Sequence, residues 1–136
     1  IEKKHRIDDA LEAVRSAQEE GIVCGGGCAL IHATKGLMVE TDNDDQALGV
    51  KIVFDSIEEP LRQMSLNAGE SPDLIVDMVV NAGESSGDVY DFMQQRLVKS
   101  IQHGLIDPVK VTRCALQNAV SVASRLITTN HSIVQQ

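Results

Sequence analysis

Three consecutive glycines, Gly25-Gly26-Gly27, sit between an amphipathic helical pattern that ends at Glu20 and an apolar run that starts at Cys28. Such a run is costly in any regular element, because each glycine loses more backbone freedom on ordering than any other residue. Two readings follow. Without Cβ atoms the chain can take positive φ and let a ligand or another backbone approach closely, beside the free N–H groups of a helix opening at Gly27. Alternatively Gly21 caps the first helix and the glycines form a hinge or a tight packing contact. The dinucleotide spacing G-x-G-x-x-G is absent, so local pattern alone leans toward the second reading.

The flanking thiols, Cys24 and Cys28, invite a metal or redox reading. Structural zinc needs four ligands, however, and neither a second cysteine pair nor the scattered His5, His32, His103 and His131 supply ligand spacing. With Cys114 the thiols are odd in number, and no secretory signal opens the sequence, so they read as reduced, small buried hydrophobes. A net charge of −8 excludes the basic footprint of a nucleic-acid or anionic-membrane partner. Aromatics are confined to Phe54, Tyr90 and Phe92, which leaves an aliphatic core and no base-stacking platform. No apolar run is long enough to span a bilayer, so the expectation is a soluble, intracellular protein.

Ile7, Ala10, Leu11, Val14 and Ala17 form one apolar stripe on a helix over residues 2–20, with Asp9 well round the cylinder from it. The pattern from Cys28 through Ile31 predicts a second helix. Asn43 followed by Gln46 resembles a capping box opening the longest helix, which Pro60 should break near Glu58. Gly69 closes that segment, and Ser71-Pro72 restarts a helix with Ser71 as N-cap. Residues 81–88 read as a loop, Val89 to Met93 as a short strand, and Leu97, Val98 and Ile101 as a short helix capped by Gly104. Asp107-Pro108 starts a helix that is apolar over most of its circumference. The β-branched stretch Ile127 to Val134 reads as a terminal strand without an obvious partner. The fold class expected is mainly α.

In order along the chain stand E-K-K-x-R-I-x-D-A-L-x-A-V-R, E-E-G-I-V-C-G-G-G-C-A-L, N-A-G-E, G-L-I-D-P-V-K-V-T-R-C-A-L-Q-N-A and I-T-T. Five separated motifs in this order, over Glu2 to Thr129, resemble the C-terminal part of a GroEL-type (group I) chaperonin subunit. The resemblance implies a helical bundle of the equatorial-domain type, with a short β element near 89–93 and a C-terminal strand. Residues 1–20 would be the returning intermediate-domain helix and 21–136 the C-terminal half of the equatorial domain. It also implies an ATP-dependent folding chaperone of the cytoplasm, or alternatively of the mitochondrial matrix, using ATP with Mg²⁺, ring contacts to other subunits, non-native client proteins held by an apical domain, and a co-chaperonin lid. The family's Gly-Asp-Gly-Thr-Thr phosphate turn, its magnesium carboxylate and its apical domain have no counterpart here, so the chain looks like a fragment, inactive alone.

Residue by residue, the resemblance makes Asp9 the catalytic aspartate that orients the water attacking the γ-phosphate. Gly26 becomes the glycine packing on the nucleotide and Asp107 the partner of the ribose hydroxyls, although an aspartate before proline is also a ready N-cap. Asp91, Phe92 and Met93 take adenine-facing positions, where small residues are usual in the family. There the larger side chains predict an outward shift of the segment from Tyr90 to Met93, or side chains turned into the core. None of the residues reads as a metal ligand. A stand-alone helical module for assembly, without catalysis, is the alternative function.

Overall fold

A computed structural model describes residues 1–82 and 87–135 and divides the chain into two compact units, residues 22–107 and residues 1–21 with 108–136. The fold is mainly α, as its sequence periodicities predict.

The larger unit opens with strand β1 (Ile22–Cys24), the glycine turn and helix α2 (Ala29–Thr34). Helix α3 (Asp44–Ser56) follows. Its N-cap Asn43 accepts from the Gln46 amide at 2.9 Å, while the Gln46 side chain accepts from the Asp42 amide at 2.9 Å, so the reciprocal bond of the capping box lands one residue early. The break expected near Glu58 falls there, because Pro60 has no N–H to give and stands in the first turn of α4 (Glu59–Asn67), where none is required. Gly69, at φ +74, lets the Glu70 amide reach back to Ser65 O at 2.9 Å and closes α4. Helix α5 (Pro72–Asn81) starts with Pro72 as predicted, although the Ser71 side chain makes no capping bond.

The core lies where α2, the α3–α4 joint, α5 and a β-hairpin meet. Leu61, Ile75, Val79, Val89 and Cys28 are sealed from solvent, with Ile31, Ile57, Val76, Tyr90 and Val98 around them. Arg62 ties α4 to α5, reaching Glu58 at the N-cap of its own helix at 3.1 Å and Asp73 on the next at 2.6 Å.

The hairpin corrects the sequence reading. Strand β2 is Asp88–Asp91, and Phe92 and Met93 lie in the turn rather than the strand. Leu97 and Val98 belong to the antiparallel partner β3 (Arg96–Lys99), leaving only Ser100–His103 as the short helix α6. Periodicity over so few apolar residues does not separate helix from strand, and cross-strand pairing of Val89 with Val98 decided it. The expected loop over 81–88 falls largely on residues 83–86, outside the described residues; Asn81 ends α5 and Asp88 begins β2. Strand β4 (Ile106–Pro108) pairs with β1.

In the smaller unit α1 (Glu2–Glu20) packs on α7 (Val109–Ile127). Lys110 pairs with Glu19, and the Arg113 guanidinium grips Glu20 in two-fold fashion at 2.5 and 2.9 Å. The apolar stripe of α1 is otherwise uncovered, with Leu11 53 % exposed, and α7 leaves Leu126 71 % exposed. The terminal strand predicted from Ile127 to Val134 does not form. Ile127 finishes α7, and the hydroxyls of Thr128 and Thr129 turn back to Ser124 O and Arg125 O at 2.9 and 2.6 Å, satisfying the last carbonyls of the helix. Beyond them, no described residue pairs with the segment, and β propensity without a partner does not make a strand.

Candidate functional site

Each glycine of the central turn answers a different requirement. Gly25 donates its N–H to Leu105 O at 2.7 Å, and a Cβ there would stand 2.9 Å from that same oxygen, so β1 and the segment leading into β4 can meet only at a glycine. Gly27 lies at φ +73, and its missing Cβ would come within 3.0 Å of the Leu61 amide nitrogen on α4. Gly26 is at φ +64, and a Cβ would meet only Tyr90 O at an ordinary 3.8 Å. The tight-packing reading therefore accounts for Gly25 and Gly27, whereas Gly26 is required for its left-handed backbone and keeps one open side.

Cys28 follows the turn as a buried thiol that donates to Gly26 O at 3.5 Å. Burial pushes its pKa up to about 11, with the Tyr90 amide pulling the other way and Cys24 and Asp107 adding to the rise. Burial also raises the Cys24 thiol. Both thiols are thus less readily ionised than a free cysteine, which makes them weaker nucleophiles. Among the described residues no group of three His, Cys, Asp or Glu is placed to hold a metal ion.

The outer edge of β2 faces this turn. The Ser100 amide bonds Gly87 O at 2.8 Å, and with Asp88 opposite Lys99 and Tyr90 opposite Leu97, the carbonyls of Asp88 and Tyr90 point away from β3. Gly26 meets the Tyr90 carbonyl, and one residue further along the hairpin turns. Asp91 builds that turn, since its Oδ1 accepts the Met93 amide at 2.8 Å and the Gln94 amide at 3.1 Å. Phe92 turns inward, edge-on to Tyr90 with ring centroids 4.9 Å apart, while Met93 is 96 % exposed. The two large side chains thus part company. One enlarges the core and the other stands in solvent.

Asp107 lies in β4, two residues beyond Leu105. The N-cap reading fails, because α7 begins at Val109 with Pro108 in the cap position and no side chain capping it. No described residue gives the half-buried Asp107 carboxylate a hydrogen bond or ion pair, and burial raises its pKa above the ordinary 3.8. A carboxyl with a raised folded pKa favours folding while it is protonated, and that contribution is lost as pH rises through the folded value. Asp107→Asn is therefore expected to raise the melting temperature at neutral pH, with the gain closing as pH falls through the carboxylate range. Thermal melts at neutral and acid pH check this; a gain that persists unchanged in acid would contradict it.

The structure thus gathers Gly26, the hairpin end at Asp91 and, through the Gly25–Leu105 bond, the strand carrying Asp107. Asp9 lies in the other unit, exposed on α1 with no side-chain partner among the described residues. His32 escaped the sequence reading, which looked only for ligand spacing. From α2 its Nε2 meets Asp88 O at 2.7 Å, a contact between residues 56 apart in sequence that no local pattern announces.

The sequence model of the TCP-1/cpn60 chaperonin family matches residues 1–136. The chain belongs to that family.

Proposed function

We propose that this chain is the C-terminal part of a group I, GroEL-type subunit and closes one side of its ATP pocket. The observation that carries the reading is Asp107, a half-buried carboxylate without a protein partner, on a strand tied to the turn that holds Gly26. Partial burial of that charge costs stability, and a ribose hydroxyl donating to it would offset part of the cost. Gly26 offers backbone without a Cβ on its open side, and the Asp91 turn borders it. Together they fit the sugar and the adjoining face of a nucleotide.

Bound ATP with Mg²⁺ supplies a γ-phosphoryl group to water, and such transfer needs positioning and electrostatics from the protein more than covalent chemistry. Asp9 is assigned the orientation of that water, Asp107 and Gly26 the holding of the nucleotide. Membership in the family implies ring assembly with other subunits. The uncovered faces of α1 and α7 are consistent with further partners, and clients and a co-chaperonin belong to the same reading.

The sequence contains no phosphate-cradling turn and no identifiable magnesium carboxylate, so the chain alone is expected not to hydrolyse ATP. A steady-state phosphate-release assay tests this. Turnover by the purified chain that disappears in Asp9→Ala would overturn the division of labour proposed. A complete subunit that assembles yet binds no nucleotide would favour the assembly module instead.

A further inference from the structure

The edge of β2 that faces the glycine turn carries outward-pointing carbonyls, and a strand edge left bare must be paired or covered. Among the described residues one stretch of chain lies along it. Gly26 stands at the Tyr90 carbonyl, the Cys28 thiol lies beside the Tyr90 amide, and one turn further on His32 reaches Asp88 O at 2.7 Å. Because the acceptor is a carbonyl, Nε2 must carry the proton, which sets the donor role of the ring. Asp88 is held on its other side by Lys99, whose ammonium is 2.6 Å from its carboxylate. Of these three contacts along the edge, only the His32 bond is a strong directional one, since a thiol is a weak donor and acceptor and Gly26 has no side chain.

We propose that His32 is a positioning residue for the nucleotide site, its Nε2–H bond to Asp88 fixing the β2–β3 hairpin, and with it Asp91 to Met93, against the glycine turn. The inference rests on the functional reading above. The turn and α2 are continuous, so a tether from α2 to the base of the hairpin sets the gap between Gly26 and Asp91. Loss of the tether frees the hairpin to move as a unit about its connection to α6. Neither Asp9 nor Asp107 is touched by that movement, so binding suffers more than the chemical step.

The test uses the complete subunit carrying His32→Ala or His32→Gln, the glutamine amide being able to donate to the same carbonyl. Three quantities are read: amide hydrogen exchange over residues 88–99 without nucleotide, and KM and kcat for ATP hydrolysis. His32→Ala is expected to speed hairpin exchange and raise KM roughly two- to tenfold, the range one net hydrogen bond commands, with kcat changed less and His32→Gln recovering much of both. Unchanged exchange and KM in His32→Ala overturn the proposal. So does a parallel loss of kcat and KM that glutamine fails to rescue, which marks a merely structural residue. A wild-type subunit that binds no nucleotide overturns the functional reading and this proposal with it, whereas wild-type binding with an unresponsive His32→Ala overturns the proposal alone.

Discussion

Gly27→Ala is expected to destabilise the larger unit by about 2–4 kcal/mol. Two costs combine. At φ +73 any L side chain pays the left-handed penalty, and the new Cβ would press on the Leu61 backbone at 3.0 Å, where α4 is anchored by a fully buried side chain and cannot give way without opening the core. Gly69→Ala supplies the control. It shares the backbone conformation, at φ +74, but a Cβ there would meet nothing within 4 Å, so only the conformational cost of about 1–2 kcal/mol remains. Urea unfolding followed by far-ultraviolet dichroism separates them. Equal shifts in the two variants would show that α4 yields and that Gly27 is not a packing constraint.

The second large effect is catalytic. In a complete subunit Asp9→Ala is expected to lower the single-turnover rate of ATP hydrolysis roughly a hundredfold or more, the scale of a positioned carboxylate acting on the attacking water, while nucleotide affinity changes little. Asp9 is exposed and makes no side-chain hydrogen bond among the described residues, so its removal carries no folding cost that would confuse the comparison. Lost binding with an undiminished single-turnover rate would reverse the assignment.

Much of this architecture is legible in the sequence because its signals are local. The α3–α4 break follows from Pro60, the start of α5 from Pro72, and the end of α4 from Gly69; each acts within a turn of its own position. The failures are of another kind. Leu97 and Val98 became a strand because Val89 and Tyr90 lie across from them, and Thr128 and Thr129 serve as helix-end donors because no strand is there to pair with their segment. Asp107 shows the same limit at the candidate site. Next to Pro108 it reads as an N-cap, and only the pairing of β4 with β1, which carries the chain in extended form to Pro108, withdraws it from that role and leaves its carboxylate unused. For the glycine run the sequence leaves close approach and tight packing both open and leans toward packing, and Gly25 and Gly27 bear that out, since a Cβ at either would press on the protein's own backbone, at Leu105 and at Leu61.

The affinity of the complete subunit for Mg²⁺-ATP, compared between wild type and Asp107→Ala, tests the central claim most directly. The Asp107 carboxylate has no hydrogen bond or ion pair among the described residues, so alanine should leave the fold intact and, by removing a half-buried charge, even favour it. If the carboxylate holds the nucleotide, a hydrogen bond to a charged group is lost, and the dissociation constant should rise roughly tenfold or more. A folded Asp107→Ala subunit that binds Mg²⁺-ATP with wild-type affinity would contradict the account.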